Sequence, residues 1–147
     1  MNFVAAGEII GEAHRVRTVG LRDSSQLPDG NYTFIDMYCT DPTCDCRKTM
    51  IQVMRDGIHV ATINFGWESP EFYQQWMGGE LDELMPSLHG ATIDVTSPNK
   101  VSTHGILAFF HALLDQKWIV IMQNHYNAVK TQLAAPEGTN TTEQDKD

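Results

Sequence analysis

All three cysteines of this 147-residue chain lie in one short stretch, CTDPTCDC at 39–46. A disulfide framework usually has an even number of cysteines, spread so that their bonds close long loops. Only one residue separates Cys44 from Cys46, so a bond between them would close a small strained ring. Pro42 and the neighbouring aspartates favour a turn. The stretch therefore predicts a tight connection between two other elements, one that brings several sulfurs to the same point.

Clustered thiolates are typical ligands of a soft or borderline cation. Zn²⁺ takes four ligands in a tetrahedral arrangement, and the spacing C-x4-C-x-C supplies three of them. We predict a zinc ion held by Cys39, Cys44 and Cys46, with the fourth ligand from elsewhere in the chain. Unliganded thiols, a redox-active thiol pair and an iron–sulfur or other metal site stay open as alternatives.

A helix predicted near the end of the chain carries the leading candidate for the fourth ligand. Apolar residues of the segment recur there at helical spacing, at Trp118, Met122, Val129 and Leu133. His125 lies within this stripe, so its ring is predicted to face the core, where both ring nitrogens need partners. We therefore predict His125 as the fourth zinc ligand. A core histidine with ordinary hydrogen bonds is the alternative, and His59 is a weaker candidate ligand.

The segments around the cysteines have the pattern of β-strands. Residues 32–39 (YTFIDMYC), 49–55 (TMIQVMR) and 58–65 (IHVATINF) are rich in aromatic and β-branched residues. Asp56-Gly57, between the last two, is a strong two-residue hairpin turn. These features predict an antiparallel meander whose first connection carries the thiols.

Helices are predicted after the meander. Ser69 is a helix N-cap followed by Pro70 at the first turn. Two further helices are predicted over 102–114 and 116–133. We therefore predict an α+β fold, in which an antiparallel β-meander of three to five strands packs against about three helices.

The chain is predicted to form one domain. Residues 31–133 make up the zinc-binding α+β domain, and the weakly patterned segment 1–30 is expected to be part of it. Residues 134–147 are acidic and nearly free of apolar side chains, so we predict a disordered tail.

Charge restricts the classes of partner. The formal net charge of -9 repels phosphate backbones and anionic lipids, so neither nucleic acid nor a membrane surface is an expected partner. No apolar run approaches the roughly 20 residues needed to cross a bilayer, and the first residues do not have the pattern of a signal peptide. We expect a cytoplasmic protein.

Three motifs resemble those of a known group of proteins. They are CTDPTCDCR at 39–47, INFGWESPEFYQQWMGG at 63–79 and the pair His125-Tyr126. Over about residues 31–130 the chain is similar to a family of small uncharacterised bacterial proteins that carry a C-x-D-P-x-C-D-C-R loop, a GWES segment and a C-terminal His-Tyr helix. The resemblance implies the same four metal ligands and no particular activity.

The GWES segment adds a candidate pocket. Trp67 and Glu68 lie where a strand leads into a helix, a common place for binding residues. Alternatively, Trp67 fills the core and Glu68 is a helix-start acid. Taken together, the sequence predicts a small zinc-binding domain with a structural Cys3His site and an interaction or regulatory role toward a protein partner. A metal-dependent enzyme with an open zinc position and a thiol redox protein are the alternatives.

Overall fold

A computed structural model of the chain describes residues 3–11, 16–76, 78 and 89–134. Within these residues the chain forms a six-stranded sheet and four helices. The strands are β1 (Phe3–Ala5), β2 (Arg17–Leu21), β3 (Gly30–Cys39), β4 (Lys48–Arg55), β5 (Ile58–Gly66) and β6 (Gly90–Ile93). The helices are α1 (Ala6–Ile10), α2 (Pro70–Trp76), α3 (Thr103–Leu113) and α4 (Gln116–Ala134).

The sheet is antiparallel, with β3, β4 and β5 as a central meander and β6 beside β5. The outer edge of β3 pairs with two short strands. Strand β1 pairs with the last residues of β3, with Phe3 opposite Cys39, and β2 pairs with the first half of β3, with Arg17 opposite Phe34. The predicted α+β fold is thus confirmed. The described sheet has six strands, beyond the predicted three to five, because β1 and β2 share one edge.

Turn and cap residues act as the sequence predicts. Asp56 and Gly57 have φ of 49° and 86°, and positive φ at both central positions matches the twist of a two-residue hairpin. The Ser69 hydroxyl accepts a hydrogen bond from the Phe72 amide at 3.1 Å and caps α2. The α4 helix begins at another cap, where the Asp115 carboxylate accepts from the Trp118 amide at 2.8 Å.

The main core lies between one face of the sheet and helices α3 and α4. Alternate residues of β3, among them Tyr32 and Phe34, are buried on this face. The Phe34 ring meets the Trp118 ring edge-on, with the centroids 5.6 Å apart. Burial of one such side chain contributes about 2 kcal/mol. This packing fixes α4 across β3 and β4, so residues on α4 come close to the connection between those strands.

A smaller core lies at the end of the sheet that carries the cysteines. Its buried members come from α1, from β3 and the connection after it, and from α4: Ala6, Tyr38, Cys39, Cys46, Tyr126 and Val129. The predicted tail lies outside the described residues except for Ala134, where α4 ends. Among the described helices none is by itself long and apolar enough to span a membrane, and α3 and α4 reach that threshold only as a pair bent by 96°.

Candidate metal centre

The connection between β3 and β4 brings the three thiols together. The sulfur atoms of Cys39, Cys44 and Cys46, which we call the cysteine cluster, all lie within 4.8 Å of one another. The three cysteines are free of disulfide bonds. Two sulfurs bound to one tetrahedral zinc at about 2.3 Å would lie roughly 3.8 Å apart. The cluster therefore has the dimensions of a site for a single thiolate-bound metal ion.

Local hydrogen bonds fold the connection. The Asp41 carboxylate accepts from the Thr43 amide at 2.9 Å, and the Cys44 amide donates to the Asp41 carbonyl at 3.1 Å. Such side-chain to backbone bonds are the reason that aspartate favours turns. The Asp41 amide also points at Cys39 Sγ, 3.4 Å away. The turn thus sets the spacing of the sulfurs and directs a donor at one of them.

Helix α4 holds this connection from the other side. Lys130 Nζ donates to the carbonyl of Cys39 at 3.1 Å and to the carbonyl of Asp41 at 2.7 Å. The Tyr126 hydroxyl donates to Asp45 Oδ1 at 3.0 Å and accepts from the Arg47 amide at 3.3 Å. The loop is therefore tied to the helix by protein contacts on both sides of Cys44.

Burial and proximity determine the acidity of the thiols. Cys39 and Cys46 are 0% exposed, and Cys44 is half-buried. Burial, followed by the neighbouring Cys44, raises the pKa of Cys46 to about 12. Burial, followed by the nearby Cys39, also raises the pKa of Cys44. Thiolates this close repel one another, and a bound cation is the partner that removes this repulsion.

The structure places His125 on the inward face of α4, as predicted, and against Asp36 of β3. Among the described residues, the group of potential ligand atoms around the sulfurs contains no histidine or carboxylate, so His125 is not brought to the cysteine cluster. Its Nδ1 lies 2.6 Å from Asp36 Oδ2. The Tyr38 hydroxyl donates to the same oxygen at 2.5 Å and lies 3.1 Å from the Met122 carbonyl.

Asp36, Tyr38 and His125 form a buried polar triad between β3 and α4. The three residues are 5%, 0% and 7% exposed. Sequence reasoning missed Asp36, although a signal was present: it follows Tyr32 and Phe34 at the inward-facing spacing of two. An acidic residue at such a position requires a buried partner.

His59 is also outside the cysteine cluster among the residues that the structure covers. Its Nε2 lies 3.0 Å from the Ala61 carbonyl and 2.8 Å from the Thr62 hydroxyl. Both contacts lie within β5. Among the described residues, the candidate ligands are therefore the three thiols.

Trp67 and Glu68 line a cavity of about 350 Å³ beside the cysteine loop. The Trp67 ring meets the Tyr126 ring edge-on, with the centroids 5.3 Å apart, and packs against both cores. Glu68 Oε2 accepts from Arg47 Nη1 at 3.4 Å. Hydrogen bonds from Arg47 hold the pKa of Asp45, another wall residue, below its ordinary value. Trp67 thus fills both roles considered for it, core packing and pocket wall.

Comparisons with protein-family models, with curated proteins and with solved structures find no match for this chain. The similarity to a family of small bacterial proteins therefore stays a prediction.

Proposed function

We propose that this chain is a zinc-binding domain in which Cys39, Cys44 and Cys46, as thiolates, hold one Zn²⁺. The observation that supports the proposal is the convergence of the three sulfurs to within 4.8 Å. These are the chain's only cysteines.

Thiolates bind zinc, copper(I) and iron–sulfur clusters. Iron–sulfur clusters in proteins are generally held by four cysteines or by two cysteines and two histidines, whereas this chain has three cysteines in total. Zinc accepts three thiolates and a fourth ligand of another kind. Because no described histidine or carboxylate lies with the sulfurs, the proposal assigns the three thiolates alone.

The proposed role of the metal is structural. Three thiolates donate much charge to zinc and make it a weak Lewis acid, so this ligand set suits a structural ion better than a catalytic one. Metal binding in small zinc domains contributes on the order of 10 kcal/mol to folding. Here the ion would fix the β3–β4 connection, which Tyr126 and Lys130 already tie to α4. A domain of this kind would act by binding a protein partner, in an interaction or regulatory role.

Metal analysis of protein purified without added zinc tests the proposal. We expect about one equivalent of zinc per chain, with three sulfur neighbours at about 2.3 Å in X-ray absorption spectra. Cys39→Ser and Cys46→Ser should each lose most of the metal, and cobalt(II) added to stripped wild-type protein should give thiolate charge-transfer bands. Protein that carries no metal and takes up neither zinc nor cobalt would overturn the proposal.

His125→Ala is the companion variant. Because His125 contacts Asp36 and lies outside the cysteine cluster, we expect this variant to keep its zinc and lose stability. Loss of zinc from the folded variant would instead make His125 the fourth ligand, as the sequence predicts.

A further inference from the structure

A second cavity, of about 630 Å³, lies between the start of β2 and the first half of helix α4. This volume is within the size range of small-molecule sites in proteins. One of its walls is His125, a member of the buried triad, which is 7% exposed and whose Nδ1 lies 2.6 Å from Asp36 Oδ2. The cavity therefore extends to the triad, and the contact with Asp36 holds the imidazole in place.

The cavity has an excess of positive charge, although the net charge of the chain is -9. Apart from the imidazole, its described charged walls are Arg17, Lys117 and Asp115. The Asp115 carboxylate accepts the Trp118 amide as the cap of α4. The ion pairs among the described residues belong to other side chains, so neither Arg17 nor Lys117 has an acidic partner there. Two cations on one cavity that lack an acidic partner favour an anionic ligand.

Trp118 holds the Arg17 guanidinium in position. The guanidinium carbon lies over the indole ring, 4.8 Å from its centroid, and the indole is buried against Phe34. A guanidinium over a ring uses its flat face and keeps its N–H donors, which lie in its plane, for hydrogen bonds. Among the described residues, this ring is the contact that the Arg17 side chain makes. The planar fork is thus fixed, and it can bind a carboxylate through two parallel hydrogen bonds.

The remaining walls suit the body of an organic acid. Val16 and Ile121 are apolar and are 45% and 37% exposed, so a ligand that covers them buries apolar surface. Asn124 adds a carboxamide that can donate a further hydrogen bond. A bare inorganic anion would leave the apolar walls in water, whereas a carboxylate joined to an aromatic or aliphatic group would cover them.

We propose that this cavity binds a small organic carboxylate, with its charged group on Arg17 and its apolar body against Val16 and Ile121. The acidic residues elsewhere in the chain do not prevent this, because exposed charges more than about 8 Å apart are largely screened at physiological ionic strength. A free acid and the carboxyl terminus of a partner peptide share this chemistry. The proposal is independent of the metal, because its test measures ligand binding.

Titration calorimetry and two-dimensional NMR, measured on the full chain as purified, test the proposal. The probes are 3-phenylpropanoate, for a free acid, and N-acetyl-alanyl-phenylalanine, for a carboxyl terminus, and the corresponding amides are the uncharged controls. We expect at least one acid to bind and to shift the Trp118 indole resonance, and its amide to bind about tenfold more weakly. Binding of 3-phenylpropanoate alone would indicate a free acid, and binding of the peptide would indicate a partner's carboxyl terminus.

Two neighbouring variants on α4 locate the site. Ile121→Glu places a carboxylate in the cavity wall and should abolish binding of the acid. Val120→Glu makes the same change in charge at the adjacent residue, which is 41% exposed and outside the described walls, and should leave binding unchanged. Because the two variants have the same net charge, a difference between them reports on the cavity itself.

Variants of Arg17 test the cation. Arg17→Gln should weaken binding about tenfold, because it removes both the charge and the planar fork. Arg17→Lys keeps the charge without the fork and should recover only part of the affinity. The control is Arg22→Gln, which removes a charge from an exposed residue directly after β2 and should leave binding unchanged.

The assignment is wrong if neither acid binds, or if the amides bind as well as the acids. It is also wrong if Val120→Glu weakens binding as much as Ile121→Glu does, because the effect would then come from the overall charge of the chain. Unchanged affinity in Arg17→Gln would exclude Arg17 as the anchor of the carboxylate.

Discussion

Replacing Asp36 by alanine removes the acceptor at the centre of the buried triad. Asp36 Oδ2 lies 2.6 Å from His125 Nδ1 and 2.5 Å from the Tyr38 hydroxyl. In Asp36→Ala the Tyr38 hydroxyl keeps the Met122 carbonyl, 3.1 Å away, as an acceptor. The imidazole loses the carboxylate while it stays 7% exposed. The cost therefore comes mainly from the lost contact between Asp36 and His125.

The magnitude follows from these contacts. A hydrogen bond to a charged group contributes about 1.5–3 kcal/mol, and Asp36→Ala removes the carboxylate from both His125 and Tyr38. We expect Asp36→Ala to lower the free energy of unfolding by about 3 kcal/mol. For a domain of this size that corresponds to a fall in melting temperature of roughly 6–12 °C.

Urea denaturation followed by circular dichroism measures this change. Tyr38→Phe is the matched control, because it removes the hydroxyl that contacts Asp36 and the Met122 carbonyl and leaves Asp36 with His125. It should cost about 1.5 kcal/mol. Zinc content should be the same in both variants, because neither residue belongs to the cysteine cluster. If the free energy of unfolding of Asp36→Ala lies within about 1 kcal/mol of the wild-type value, the triad does not hold β3 to α4.

Three further predictions concern the metal, a helix cap and pH. Removal of the proposed zinc with a chelator should lower the melting temperature by more than 10 °C, since metal binding contributes on the order of 10 kcal/mol in small zinc domains, and added zinc should restore it. Asp115→Ala removes the acceptor of the Trp118 amide at the start of α4 and should cost about 1 kcal/mol in urea denaturation; Asp115→Asn should recover most of it. Although burial raises the pKa of Asp94, hydrogen bonds from Thr96 and Asn64 hold it below its ordinary value overall. The ionised Asp94 carboxylate therefore stabilises the fold above its unfolded pKa of about 3.9. This stabilisation is lost as the pH falls through the lower pKa that Asp94 has in the folded protein. Asp94→Asn should be less stable than wild type at pH 7, and the difference should shrink below about pH 4; a constant difference would contradict this assignment.

Local sequence patterns correctly predicted the turns and caps, because these are determined by interactions between residues close in the chain. The Asp56-Gly57 hairpin and the Ser69 cap depend on neighbours within a few residues, so their sequence signals predict the observed geometry. The convergence of the thiols was predictable for the same reason, because a short loop cannot separate Cys44 and Cys46 widely.

The partner of His125 was not predictable in this way. Helical periodicity correctly places the residue on the inward face of α4, where it is 7% exposed. The group that it meets, however, depends on how α4 crosses β3, and Asp36 is 89 positions away along the chain. The three thiols favoured a metal ion as the predicted partner of His125. Its contact with Asp36 depends instead on the packing of Phe34 against Trp118, which positions α4 on the sheet.

Strands β1 and β2 both pair with the same edge of β3, so this edge is covered along most of its length. β3 is a strand of 10 residues, and an exposed strand of that length is a template on which another molecule can add its own backbone. The short segments Phe3–Ala5 and Arg17–Leu21 occupy this template in succession. These two segments therefore cover an edge that could otherwise pair with another molecule, and chains that lose them should tend to form intermolecular β-structure.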